Sequence, residues 1–218
     1  MLISNERKSV SGAVDVMESA SVKTVRIAEA GDRRETTATL AEAFMDDPVA
    51  IWATPKDHHR VGALRRFFGA VYDSHIDGEV TYVDSERRGA AIWALPGQWQ
   101  GSAWNQLRTA AAFAHPRHWP RLPRVIGGIV RAEQSHPRTK HFYLATLGVA
   151  PDRQGEGIGS RLLAPVLEIC DSDGIPAYLE SSKHSNIAFY ARHGFRVTGE
   201  LRLPAGGPVL YPMWREPR

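Results

Sequence analysis

The stretch from His141 to Leu163, HFYLATLGVAPDRQGEGIGSRLL, constrains the fold more than any other part of this chain. It reads as a strand, a glycine-rich turn and a helix. Phe142, Leu144 and Leu147 are apolar and Tyr143 is aromatic, which suits a largely buried strand. Pro151 and Asp152 stop it. Ile158, Leu162, Leu163, Val166, Leu167 and Cys170 then recur at helical spacing, and Gly174 stands where a C-terminal cap is expected. Between strand and helix lie Gly155, Gly157 and Gly159. Alternate glycines let the backbone bend and leave its N–H groups uncovered. Joined to the free amides at the positive end of a helix, they form a cradle for a phosphate or pyrophosphate.

The identity of that phosphate ligand follows partly by elimination. A P-loop needs Gly-Lys-Ser/Thr at its end, and the turn has none. A dinucleotide-binding turn needs G-x-G-x-x-G, and counting from Gly155 or Gly157 ends on Ser160 or Leu162. Gln154, Gly157 and Gly159 do fill the pattern Gln/Arg-x-x-Gly-x-Gly. A glycine-rich turn that binds nothing is the alternative at this point.

The chain has 218 residues, 43% hydrophobic and 23% charged, which suits a single globular domain with a sizeable core. Its net charge of +3 leaves no footprint for a large polyanion, so no nucleic-acid partner is expected. Cys170 is the single cysteine, so no intramolecular disulfide can form. No segment has the look of a signal peptide or a membrane span, and a cytoplasmic protein without a membrane partner is expected. Residues 1–21 are polar and aperiodic and read as a flexible tail, with Met17 an alternative start; residues 22–218 form one domain.

Along the chain, 22–28 reads as a strand. Asp32 and Glu35 have capping-box spacing before a helix that ends at Asp46, Asp47 and Pro48. A second helix starts near Thr54 and Pro55, with Val61, Leu64, Phe68 and Val71 as its stripe. Residues 79–84 and 90–95 form a hairpin whose tip, with Arg87 and Arg88, is solvated. Helices follow at 102–114 and 122–133. Trp93, Trp99, Trp104 and Trp119 belong to packing before ligand contact. A strand at 176–180, a helix at 186–193 and strands at 195–203 and 209–214 complete an α/β arrangement. The result is a mixed sheet with helices on its faces. Asp46 and Asp47 could line a pocket for a cation, although such a pair more often ends a helix. The adjacent His58 and His59 point apart on a helix, and no metal site is expected.

A second segment, SNIAFYARHGF, carries Asn186, Phe189, Tyr190, Gly194 and Phe195. With the glycine turn upstream, it resembles the paired motifs of the GNAT superfamily of N-acetyltransferases. The fragments ATLGVAPDRQGEGIGS, YLESS and FYARHGF look closest to puromycin N-acetyltransferase-like members. The resemblance covers 141–214 well and the first half only in its order of elements. It implies a central mixed, mostly antiparallel twisted sheet with a splayed strand pair holding the acyl-CoA. It also implies acetyl-CoA as co-substrate and a small-molecule amine as acceptor, in a monomer or homodimer. On that reading Leu147, Gly148 and Val149 meet the pantetheine arm as a neighbouring strand would, and an amide near Val149 donates to the thioester oxygen. Gln154, Gly155, Glu156, Gly157, Ile158, Gly159 and Ser160 hold the pyrophosphate, and Asn186 and Phe189 meet the cofactor from the other side. Tyr190 is the candidate proton donor to the departing thiolate. Glu180 is the candidate base for the acceptor ammonium, directly or through water, with His184 the second choice. An acyl-CoA sensor without turnover and a protein- or tRNA-directed acyltransferase remain the competing functions.

Overall fold

The computed structural model describes residues 24–55, 59–78, 80–99 and 116–218. The tail at 1–21, the helix expected at 102–114, and the positions of His58, Glu79 and Trp104 lie outside the described residues.

The strands are β1 (Val25–Ile27), β2 (Thr81–Asp84), β3 (Gly89–Ala94), β4 (Phe142–Val149), β5 (Ala177–Ser181), β6 (Arg196–Val197), β7 (Leu201–Arg202) and β8 (Val209–Arg215). The helices are α1 (Arg33–Ala43), α2 (Pro48–Ala53), α3 (His59–His75), α4 (Leu122–Ser135), α5 (Ile158–Asp173) and α6 (Ile187–Arg192). The sheet runs β1-β2-β3-β4-β5-β8-β6, with β7 on β8. Among the described residues, only β4 and β5 pair in parallel; the other pairs are antiparallel.

Two cores sandwich the sheet, and β3 shows how. All six of its residues are buried. Ala91 and Trp93 pack with Phe142, Leu144 and the apolar stripe of α5. Ala90 and Ile92 pack on the other face with Leu40 of α1 and Leu64, Phe68 and Tyr72 of α3. The side chains alternate as a strand demands, and small alanines let helices close in on both faces. Each large apolar side chain buried this way contributes roughly 1.5–3 kcal/mol. Gly148 of β4 is required by the same closeness, since a Cβ there would lie 2.7 Å from the Leu40 side chain and 3.1 Å from Phe44.

Several local expectations change. Pro48 does not merely end a helix; it occupies the first turn of α2, which sequence reading missed. Asp32 does not cap α1 with Glu35. Its carboxylate accepts from Glu29 N at 2.9 Å and is gripped by Arg26 and Arg87. Glu35 pairs with Arg87 instead, at 3.3 Å. Arg87 and Arg88 are therefore ion-paired across elements, the latter with Asp152, rather than a solvated tip. The strand expected over 195–203 is split into β6 and β7. Trp119 is 59% exposed and is not a core residue.

Candidate active site

β4 and β5 pair only at Phe142↔Ala177 and Tyr143↔Tyr178. Beyond those pairs the strands part, and a cavity of about 440 Å³ opens between residues 144–149 and 179–183. The parting coincides with a defect in β4. Trp93 pairs with Leu144 but Ile92 with Thr146, so Ala145 is an extra, bulged residue. A bulge bends and over-twists its strand, here at the start of the gap.

The polar edge facing the gap can be worked out from one bond. Ala150 N donates to Arg88 O at 2.7 Å, on the β3 side. In an antiparallel pair alternate residues turn both polar groups to the partner. Gly148 and Thr146 share that orientation, so Leu147 and Val149 turn their N–H and C=O groups toward the gap. One of these carbonyls, Val149 O, accepts from Gln154 Nε2 at 3.2 Å.

The glycine turn closes one end of the cavity. Gly155 and Gly157 adopt φ of +84° and +77°, where a side chain is strained, and Gly157 is the N-cap of α5. The first bond back into the helix runs from Arg161 N to Gly157 O at 3.1 Å. The amides of Ile158, Gly159 and Ser160 therefore have no carbonyl of their own helix to meet. These amides and those of Leu147 and Val149 suit the diphosphate and amide groups of a CoA thioester. The turn is pinned by Arg153, which donates to Glu156 at 2.9 Å and Glu86 at 2.7 Å. Those two carboxylates hold the Arg153 guanidinium above its ordinary value.

The structure brings Glu180, Tyr190, Asn186 and Phe189 to the same cavity as the turn and as Leu147, Gly148 and Val149. Glu156 alone among the expected site residues does not border it, because its carboxylate serves Arg153. His184 is also outside it, its ring edge-on to Tyr211 at 5.4 Å. Tyr190 is buried on α6. Burial pushes its phenol well up, and the Asp47 charge adds to that, so the hydroxyl keeps its proton. Asp47 borders the cavity while capping α2, where its Oδ1 accepts from Val49 N at 2.8 Å and Ala50 N at 3.1 Å. Its Oδ2 accepts from Ser182 Oγ, and the neighbouring Asp46 pairs with Lys183 at 2.6 Å. Two consecutive aspartates thus fasten the start of α2 to the loop after β5.

Glu180 and Tyr178 lie on the sheet face opposite Leu179, which packs with α5. Around Glu180 stand Tyr143, Tyr178 and His136, the last capping the end of α4. Sequence reasoning missed His136. It sits in a polar stretch after a helix, and its spacing to Glu180 has no local signal.

Residues 91–195 match the model of the Acetyltransferase (GNAT) family. The chain is 28% identical over 178 residues to an uncharacterised N-acetyltransferase of Schizosaccharomyces pombe, spanning 77% of this chain and 72% of that one. It is 32% identical over 102 residues to N-alpha-acetyltransferase 50 of Danio rerio, spanning 42% of this chain and 61% of that protein. Among solved structures, an acetyltransferase of Corynebacterium glutamicum described as histone acetyltransferase HPA2 and related acetyltransferase superposes with a TM-score of 0.63 at 25% identity. That match covers 90% of this chain and 97% of the other. A polyamine N-acetyltransferase of Drosophila melanogaster shares the fold, with a TM-score of 0.57 at 16% identity over 88% of this chain and 99% of its own.

Proposed function

We propose that the chain is an acetyltransferase of the GNAT superfamily, and that it acetylates the primary amine of a small molecule by direct attack in a ternary complex. Acetyl-CoA, when bound, supplies the thioester carbonyl. The observation that carries the reading is the convergence of three features on one cavity: the gap beside Leu147 and Val149, the amides of the glycine turn, and Glu180 and Tyr190, which both border it.

Each residue has a defined task on this reading. The amides of Gly155 and of residues 157–160, with the positive end of α5, hold the diphosphate. Leu147 and Val149 align the pantetheine arm along the edge of β4, and the Val149 N–H donates to the carbonyl oxygen as charge develops there. An alkyl ammonium, with a pKa of about 10, must lose a proton before it can attack. Glu180 accepts that proton directly or through water. Tyr190, kept protonated by burial, donates to the departing sulfur. The resemblance of three fragments to puromycin N-acetyltransferase-like members favours a small, antibiotic-like or amino-acid-like acceptor.

The names of the zebrafish and Corynebacterium relatives favour a second reading, in which the acceptor is an amine on a protein. One assay separates the readings: thiol release from acetyl-CoA, measured against a panel of small amines and of short peptides with free N-termini or lysines. Release with small amines is the expected result. Release with peptides alone would transfer the role to a protein acceptor. Tight donor binding with no release on any acceptor would leave a sensor and sink the transferase reading.

A further inference from the structure

Glu180 is the near end of a buried polar chain. Its Oε1 lies 3.6 Å from His136 Nδ1, too long for a hydrogen bond but within ion-pair range. His136 Nε2 lies 3.0 Å from His141 Nε2, and His141 Nδ1 lies 2.6 Å from Thr139 O. Both imidazoles are buried.

The hydrogens follow from what each partner can do. A carbonyl only accepts, so His141 Nδ1 carries its hydrogen. Burial pushes His141 down, which favours a neutral ring with an accepting Nε2. His136 Nε2 must then be the donor. If His136 holds no other proton, its Nδ1 presents a bare lone pair to the Glu180 carboxylate, and the two repel. One further proton, on Nδ1 or on the carboxylate, makes the contact attractive. Among the described residues, the titratable groups facing this pair are His141, Tyr143 and Tyr178, with Trp99 stacked on His136 at 3.7 Å. Burial and then the Glu180 charge push both phenols up, so neither tyrosine is the place where the proton settles.

We propose that His136 is a positioning residue for proton removal: Glu180 takes the proton of the acceptor ammonium, and His136 Nδ1 receives it from Glu180 across their 3.6 Å contact. The inference rests on Glu180 acting as the base. An N–H bond of the ammonium breaks and its electron pair stays on nitrogen for the attack. An O–H bond forms on Glu180 and breaks again as the Nδ1–H bond forms. The product is an imidazolium beside a carboxylate, and the proton leaves to water before the next turnover. Such contacts run long before substrate is bound and tighten in the complex.

The test is the pH profile of kcat/KM for one good amine, in the wild type and in His136→Gln. An imidazole ordinarily releases its proton near 6.5 and a glutamate near 4.3. With His136 as final holder, the acidic limb of the wild type depends on this imidazole. In His136→Gln it moves to lower pH by about one unit or more, with the KM for acetyl-CoA unchanged. A limb that stays in place in an active variant overturns the proposal. If the variant does not fold, nitrogen-15 spectra of the histidine rings in the wild type and Glu180→Gln decide. The proposal expects the His136 ring to change its protonation with pH and to change its titration when Glu180 is neutralised. A His136 signal indifferent to Glu180→Gln overturns it. A wild type that releases no thiol with any amine fails the transferase reading instead, and the ring spectra still judge the His136–Glu180 pair.

Discussion

The two ends of the cavity are built in different ways. On the proposed function, the donor end is main chain: glycine-turn amides and the free edge of β4, supplied by one continuous stretch of sequence. The acceptor end is side chain. Glu180 comes from β5, Asp47 from the start of α2 and Tyr190 from α6, with His136 at the end of α4 standing behind Glu180. Main-chain recognition tolerates many side chains and depends on backbone shape, so its sequence trace is a short glycine pattern. Side-chain chemistry depends on residues that meet only after folding. The donor end is therefore legible as a motif, and the acceptor end leaves the substrate open.

Substitutions can break or sharpen that contrast. The largest effect is expected at the acceptor end: Glu180→Gln lowers kcat by about 10²–10⁴-fold, the usual range for a general base, with donor affinity unchanged. Isothermal titration with acetyl-CoA beside steady-state rates checks both halves. Loss of donor binding in this variant would erase the division between the ends. Tyr190→Phe comes next, with kcat down by about 10²-fold. Its penalty is expected to shrink with a thioester whose leaving thiol is more acidic; an undiminished penalty would remove Tyr190 as proton donor.

At the donor end, Gly157→Ala forces a side chain into the left-handed region, at a cost of about 1–2 kcal/mol. Donor affinity falls by about five- to twenty-five-fold, at 1.4 kcal/mol per decade, while kcat at saturation holds. Stopped-flow or equilibrium binding resolves it. Asp32→Asn should touch neither end. Its hydrogen bonds from Arg26, from the Glu29 amide and from Arg87 hold the Asp32 carboxyl below the usual range, against the opposing effect of its burial. That stabilisation is present above the unfolded value of about 3.9 and is lost as pH falls through the lower folded value. The variant should be about 1.5–3 kcal/mol less stable at neutral pH, with the deficit fading in acid and the rate unchanged. Thermal melts from pH 7 to 2 show whether it does.

The sequence made the second half readable because its elements are local and strongly patterned. The α5 stripe from Ile158 to Cys170 is buried as its spacing requires, and Gly174 caps the helix at φ +67°. Elsewhere, distant partners decided the outcome. Asp32 had the spacing of a cap, but two arginines from other elements claimed it. Pro48 reads equally as an end or a beginning, and only the Asp47 cap tells which. In β4 a signal was present and could have been used. Phe142 and Leu144 are two apart, but Leu144 and Leu147 are three apart, and that slip of phase is the bulge. His136 had no such signal, since its meaning lies in contacts with Trp99, His141 and Glu180.

That single surplus residue, Ala145, has a consequence for how the sheet could evolve. Parallel neighbours tend to zip along their whole length, and a β4 one residue shorter would have little reason to peel away from β5. The seam would run on past Tyr143, and the crevice would be filled by ladder bonds. The cleft thus begins at an alanine that contributes no functional group of its own, only a miscount.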